Sequence, residues 1–574
     1  MTKVPAKLGV SFSVVFQWLA AIALAGCAGQ VQPSGGPPDT IPPAIIRTIP
    51  DTNAVRVSTS FLELEFSEYV DRRSVEEAVF ISPHLGTLEF DWGGTEVRIT
   101  FQDTLRRNTT YVVTIGTDVV DIRAQNRMAR SYTLAFSTGD SLDQGSMEGH
   151  VVDERPDGVM VFAYNLDGVD PDTLNPSHTR PDYIVQTGAD GKFQLRNTVI
   201  STYRVIAVRD EYKNLVYDRE VDQYGVSQND ITLTPARPHA AGIWFRLAKE
   251  DTTKPFLSSV TASDRYHVLL RFSEAVDTTS VTHAAFRLLD TLSLSPLRLG
   301  ALYQDMGNPA LIGAELIDPL DSTRTYRMIV KGLADRAGNV TDSTRVGADF
   351  PGSGIPDTVR PVVRVHNVAD SSRGIPLDIP FEIDLGKPVS LGPALASVTL
   401  LDSARRVVPA NVVARTPAQI RLIPRIPLIP SAWHTIRIVL DSLVDSRGNR
   451  YRDSTALIRF QTMDLRVTGT IEGRVLDPGG RGDIVITARS IDLTPPRSDS
   501  VRIRKDTSFV IEKLTEGKYA IQGYRDEDEN RAYTPGLPHP YKPSERFAVF
   551  PDTVKIRARW SIEGVVLKFP QGKE

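Results

Sequence analysis

Cys27 is the only cysteine in 574 residues. A lone thiol can act as a nucleophile, bind a metal or accept a covalent group. It ends the stretch Leu24-Ala25-Gly26-Cys27, behind an apolar run and two early lysines, Lys3 and Lys7. Oxygen-ligand chemistry is offered by Asp526, Asp528 and Asn530, which alternate as the ligands of a calcium loop do. That pattern soon breaks, because Arg531 stands where an EF-hand needs glycine and Leu537 where it needs a bidentate glutamate. The three are therefore a weak calcium candidate, set against a solvated acidic turn. Asp210, Tyr212 and Asn214 form a poorer version earlier in the chain. Glu68 and Glu274 recur in the same local setting, each two residues after a phenylalanine. They are expected to sit at a strand end and accept backbone hydrogen bonds.

Other chemistry is thinly represented. The nine histidines are scattered, and the nearest pair, His267 and His283, lies far outside the spacing of a helical zinc pair. There is no Gly-x-Ser-x-Gly elbow and no phosphate-binding loop. Two acids in a sandwich loop do not form the facing pair a glycosidase needs. No catalytic residue, cofactor or firm metal site is expected, and the chain is expected not to be an enzyme. Arg481-Gly482-Asp483 follows Asp477-Pro478-Gly479-Gly480 and reads as a turn rather than an adhesion signal.

The elements around Cys27 explain its place. The apolar run is short and interrupted by Ser11, Ser13, Gln17 and Trp18, and it ends in small residues. This resembles a bacterial lipoprotein signal peptide over residues 1–26, with Cys27 as the first mature residue. The resemblance implies a diacylglyceryl group on the thiol, a further acyl chain on the new N-terminus, and anchoring to a membrane through Cys27. Two or more chains anchor stably where one does not. Ala28 rather than aspartate follows, which resembles an outer-membrane address. Residues 27–38 are rich in proline and glycine and read as an extended tether.

With Cys27 lipidated no thiol remains for disulfides, so apolar cores must supply the stability. A formal net charge of -4 gives no reason to expect nucleic-acid binding. The 39 prolines and 40 glycines, with many Thr and Val, suit strands joined by turns.

Two kinds of repeat organise the rest. The first opens at Asp39-Thr40-Ile41-Pro42-Pro43, Asp251-Thr252-Thr253-Lys254-Pro255 and Asp357-Thr358-Val359-Arg360-Pro361. A period-two strand follows each time, as in Leu62, Leu64 and Phe66 or Val268, Leu270 and Phe272. Phe66-Ser67-Glu68-Tyr69-Val70-Asp71 and Phe272-Ser273-Glu274-Ala275-Val276-Asp277 come next, and Phe381-Glu382-Ile383-Asp384-Leu385 replaces that element in the third copy. Polar turns close each copy at Asp121 to Asn126, Asp335 to Asn339 and Asp445 to Asn449. The second kind occurs twice. Glu148-Gly149-His150 matches Glu472-Gly473-Arg474, and Asp190, Phe193, Tyr203 and Asp210 match Asp506, Phe509, Tyr519 and Asp526 at the same spacings.

The first repeat resembles the bacterial Ig-like domain of the S-layer (SbsA-like) type, and the second the carboxypeptidase regulatory-like (transthyretin-like) domain. The layout resembles a Bacteroidetes-type lipoprotein. These resemblances imply an all-β tandem array of Ig-like and transthyretin-like β-sandwiches. Ig-like domains fall at 39–140, 250–353 and 356–463, and regulatory-like domains at 145–248 and 466–574. They name no ligand.

The function expected is a lipid-anchored cell-envelope protein, a non-catalytic structural or protein-binding scaffold. Its partner is an unknown envelope protein or glycan. In series the sandwiches make a rod on the order of 150–200 Å long. The alternative is a glycan-binding accessory lipoprotein of an uptake or adhesion system. Trp92, beside Gly93-Gly94, is the best exposed aromatic for that role, and Trp244, Trp433 and Trp560 read as core. Asp-Ser/Thr pairs followed by an apolar residue, such as Asp103-Thr104-Leu105 and Asp290-Thr291-Leu292, resemble the O-glycosylation sequon of exported Bacteroidetes proteins. Such pairs also recur at turns through side-chain-to-backbone bonds.

Overall fold

A computed structural model describes residues 39–570 apart from 343, 345, 442, 478, 495, 505 and 506. Cys27, the signal segment 1–26, the tether 27–38 and Asp506 lie outside the described residues. Among the described residues no helix is long and apolar enough to cross a membrane.

The period-two segments form half-buried strands, and the chain is an all-β tandem array of sandwiches. In the first unit Phe61–Phe66 alternates outward glutamates with inward Leu62, Leu64 and Phe66. It pairs antiparallel with Ile45–Ile49 and Glu96–Phe101. A second sheet, Val79–Ser82, Thr110–Ile115 and Tyr132–Ser137, faces it across a core that includes Val97, Ile99, Tyr111, Val113 and Phe136. The same two-sheet plan builds one core from Leu257 to Phe350 and another from Val368 to Phe460.

The third copy corrects the sequence-based register. Three equivalent bridges tie the repeats together: Val70 to Asp121, Val276 to Asp335 and Val389 to Asp445. Asp71 caps the helix Arg72–Ala78, Asp277 caps the 3-10 turn Thr278–Ser280, and Ser390 stands at the N-cap of the helix Leu391–Ser397. Leu385-Gly386-Lys387-Pro388-Val389-Ser390 is therefore the counterpart of Phe66 to Asp71, not Phe381 to Leu385. Phe381–Asp384 is the strand itself. The alternating pattern of that strand had masked the slip. Lys387 stands where the other two copies carry Glu68 and Glu274.

The second and fifth units share one topology. Gly145–Val152 lies between Lys192–Thr198 and His239–Arg246, with the last strand parallel to it. Thr468–Leu476 lies in the same way between Ser508–Thr515 and Ser561–Lys568. The matched glycines are needed there. A Cβ on Gly149 would strike the Ile243 carbonyl and come 2.7 Å from the Phe193 ring. On Gly473 it would meet the Phe509 ring and come 2.6 Å from the Val565 carbonyl oxygen. Tyr203 and Tyr519 are fully buried, and each hydroxyl donates to the carbonyl four residues earlier, Val199 and Thr515.

The units do not simply follow one another as a rod. The segment 533–547 of the fifth unit packs on the second, so residues far apart in sequence meet. The cause is a sheet in the second unit that is apolar on both faces. Met160–Asn165 and Thr202–Arg209 are buried almost continuously rather than alternately. One face, with Val161, Ala163, Val205 and Ala207, closes that unit's own core. The other, with Met160, Phe162, Tyr164, Ile206 and Val208, is covered by Phe80 of the first unit, by local loops, and by Leu537 and Tyr541 of the fifth.

Candidate functional site

An acidic seat repeated in the Ig-like copies and a clasp between the second and fifth units gather polar groups into defined geometry.

The seat forms where the opening aspartate of each copy meets the closing polar turn. The turn asparagine donates its Nδ2 to the carbonyl of the opening aspartate in all three copies. Asn126 donates to Asp39, Asn339 to Asp251 and Asn449 to Asp357. The turn aspartate gathers its own loop. Asp121 accepts the amides of Ala124, Gln125 and Asn126. Asp335 and Asp445 each take both the backbone and side-chain N–H groups of their asparagine. The third carboxylate comes from the strand end. Asp251, Glu274 and Asp335 bring oxygens within 4.8 Å of one another.

Glu274 is not a backbone acceptor as expected. Its Oε1 is buried without a hydrogen-bond partner. The neighbouring serines take that role, Ser67 Oγ accepting from Ala44 N and Ser273 Oγ from Phe256 N. Burial pushes the Glu274 carboxyl up, and Asp251 and Asp335 add to the shift. Glu68 is raised by burial, then by Asp121 and Asp39, with Arg123 opposing. In the third copy Lys387 Nζ reaches Asp357 at 2.5 Å and Asp445 at 3.3 Å, so a cation occupies the seat. Burial opposes ionisation of Asp445, but the Asn449 bonds and Lys387 hold its carboxyl below the usual range. Glu274→Lys should therefore stabilise the second copy by supplying the missing ammonium. The expected result is a thermal midpoint for that unit raised by about 4–8 °C, equivalent to roughly 1 kcal/mol. An unchanged or lower midpoint in scanning calorimetry counts against this account.

The clasp joins strands of the second unit to a loop of the fifth. Arg204 is 2% exposed in the middle of an apolar strand, on the face turned toward the fifth unit. Its guanidinium forks onto Asp230 at 3.0 and 2.9 Å, donates to the Pro171 carbonyl at 2.6 Å and lies 3.6 Å from the Tyr541 ring centre. Tyr224 donates its hydroxyl to the Gly536 carbonyl, and Arg246 donates to Gln522. Arg246 also stacks over Tyr533 and Phe547, whose ring meets Trp244 edge-on.

The weak calcium candidate lies beside this loop. The Asp526 and Asp528 carboxylates converge with that of Glu545. Asn530 turns its Nδ2 to Asp528, and Thr534 Oγ1 donates to the same carboxylate. Arg531 N donates to Asp526. Glu545 accepts from the amides of Glu527, Asp528 and Thr534. These oxygens thus close the 526–534 loop through the chain's own donors. The signal for Glu545 was the polar run Ser544-Glu545-Arg546 just ahead of the Phe547 strand, all three buried.

Burial pushes Glu545 up to about 7 and Asp222 up to about 6. Because these folded values lie above the unfolded ones, the stability they contribute is fully present at acid pH. It is lost as pH rises through the folded values. Urea midpoints are expected to fall between pH 5 and 7.5, and Glu545→Gln should flatten part of that slope. An equal slope in the variant would remove Glu545 as its source.

The other sequence candidates sit at strand ends and on turns. Asp290 Oδ1 accepts the amides of Leu292 and Ser293, and Asp483 of the Arg-Gly-Asp run pairs with Arg502 and Arg504. Trp92 is half-buried with Arg72 over its ring, whereas Trp560, expected in a core, is 62% exposed. It sits on a turn, its backbone bonded to Arg557 and Thr470, with its ring left outside the sandwich.

The fold and the seats define a chain of tandem β-sandwiches. Residues 39–138 match the family model of a bacterial Ig-like domain. No curated protein matches the chain. Among solved structures, the N-terminal part of the bacterial S-layer protein SbsC is similar at 15% identity and a TM-score of 0.17. That match covers 36% of this chain and 44% of that one. Domains 1–6 of SbsC match at 11% identity and a TM-score of 0.15, over 84% of this chain and 64% of that one. Escherichia coli alpha-2-macroglobulin, over domains MG0-NIE-MG1, matches at 11% identity and a TM-score of 0.15, covering 48% of this chain and 95% of that one.

Proposed function

We propose that the chain is a lipid-anchored cell-envelope protein working as a non-catalytic structural or protein-binding scaffold. The clasp is the observation that carries this reading. A chain whose second and fifth units grip one another through a buried Arg204, Tyr541 and Tyr224 presents its surfaces in one fixed arrangement. Such preorganisation lowers the entropic cost of engaging a partner. Cys27, at the end of a proline- and glycine-rich tether, supplies the attachment, and an outer-membrane position fits the residue that follows it.

The test begins with Cys27→Ser in the native host. The variant is expected to lose the detergent-phase mature form and to appear soluble or unprocessed. Crosslinking of the native protein, followed by affinity capture, is expected to return one recurrent envelope partner. A variant that still partitions as mature, detergent-phase protein ends the anchoring claim. Capture of no recurrent partner, with substrate turnover by the purified chain, ends the scaffold claim.

The glycan-binding alternative has one observation in its favour. A groove of about 960 Å³ at the edge of the second unit is lined by Tyr132, His150 and Trp244 together with Arg130, Glu148 and Lys192. His150 and Trp244 stack there at 5.5 Å. A glycan array read with wild type and Trp244→Ala distinguishes the two, since sugar binding through this groove must vanish in the variant.

A further inference from the structure

The seam between the second and third Ig-like units holds a cluster that neither the clasp nor the scaffold reading uses. Asp264 and His267 come from the second Ig-like unit, at the turn that enters the strand His267–Phe272. Asp357 comes from the segment opening the third. All three side chains are buried, at 4%, 9% and 1% exposure. Their ligand atoms lie within 4.8 Å of one another.

Both carboxylates are held from behind. Asp264 Oδ1 accepts the amides of Tyr266 and His267, which fixes the carboxylate. Its Oδ2 and Oδ1 lie 2.9 and 3.0 Å from His267 Nδ1. Asp357 Oδ1 is taken by Lys387, while Oδ2 accepts no hydrogen bond and points at His267 Nδ1 from 3.7 Å. A buried carboxylate oxygen left without a donor is costly.

Charge leaves a vacancy of one sign. Among the described residues Asp264, Asp357 and Asp445 share one paired ammonium, Lys387, so two negative charges lack a cation in direct contact when His267 is neutral. Outward of them, Glu315, the strand neighbour of His267, is engaged by Ser446, and Arg447 covers the Tyr266 ring. A proton on His267 would offset one of the two charges. A divalent ion would offset both.

We propose that Asp264, His267 and Asp357 bind a divalent transition-metal ion of the zinc class, pinning the second Ig-like unit to the third. An imidazole nitrogen with two carboxylates suits such an ion better than calcium, which prefers oxygen throughout. Metal-ligand bonds of about 2.0–2.2 Å set tetrahedral ligand separations of roughly 3.3–3.5 Å, and the 2.9 and 3.7 Å separations bracket that range. Lys387 on Asp357, and the two amides on Asp264, are the supporting contacts a metal-bound carboxylate needs.

The experiment uses the full soluble chain with Cys27 replaced by serine, stripped with chelator and titrated with zinc, cobalt(II) and calcium. Expected are about one bound zinc per chain by elemental analysis, a thermal midpoint several degrees above the stripped protein, and ligand-field absorption with cobalt. His267→Gln and Asp264→Asn should each weaken zinc binding by at least tenfold, while the exposed Glu512→Gln leaves it unchanged. Cobalt absorption in the wild type reads the site even where a variant misfolds. The proposal fails if zinc gives neither binding nor stabilisation, or if calcium does the same as zinc. It also fails if folded His267→Gln binds as tightly as wild type, or if the midpoint follows pH alone with no metal effect, which would leave a protonated His267 as the whole account.

Discussion

Arg204→Ala is expected to cost about 3 kcal/mol of stability, the low end of the loss for a buried ion pair, because the Asp230 side chain left behind is 25% exposed. Arg204 is 2% exposed and makes four contacts at once. Its loss leaves the Asp230 carboxylate and the Pro171 carbonyl without their donor, and it leaves the Tyr541 ring over a cavity. Only Tyr541 belongs to the fifth unit, so two readouts separate the consequences. Urea unfolding should show the second unit melting earlier. Small-angle scattering below that transition should show a longer maximum dimension as the 533–547 loop lets go. Tyr541→Ala is the companion variant: it should lengthen the particle with a smaller loss of stability, because Asp230 keeps its partner. Unchanged scattering in both variants would mean that the clasp does not depend on this contact.

Lys387→Met should cost about 3–5 kcal/mol, through a different route. The Asp357 and Asp445 side chains are 1% and 2% exposed, and both rest on the same ammonium. Methionine conserves much of the volume, so packing is retained and the loss is electrostatic. Two carboxylates would remain buried, with the asparagine bonds of Asn449 as the chief support for Asp445. The loss should shrink at acid pH, because Lys387 is one of the groups that hold Asp445 ionised. The double variant Lys387→Met with Asp445→Asn should recover part of it. Unfolding curves measured in chelator at pH 7.5 and pH 5 check this. An equal loss at both pH values would point to packing instead. The comparison with Glu274→Lys makes a reciprocal pair, since one seat loses the cation that the other gains.

Much of the fold was legible. Period-two strands such as Phe61–Phe66 declare their buried face, because successive side chains point to opposite sides of a sheet. A shared Glu-Gly motif paired Gly149 with Gly473, equal spacing paired Tyr203 with Tyr519, and the structure places each pair alike. The third Ig-like copy was misaligned by its own pattern, since Phe381 to Leu385 alternates as well as any strand and hides the Lys387 that matters. The clasp carried a readable signal that went unused. Val159 to Tyr164 and Val205 to Val208 are continuous apolar runs, as a sheet covered on both faces requires. Arg204 beside such a run marks a charge that must find a partner.

What covers that second face could not be read, because no local rule connects Arg204 to Tyr541 across more than three hundred residues. The same limit applied to Asp264, His267 and Asp357, and to Glu545 beside Asp526. Strand formation, turn chemistry and repeat spacing depend on neighbours within a few residues, so the sequence by itself determined an all-β chain of repeated sandwiches with acidic turns. Which units touch, and which charges share a buried space, depend on distant surfaces meeting. Only the tertiary structure decided that the expected rod folds back on itself and that Lys387 fills a seat its sister copies leave acidic.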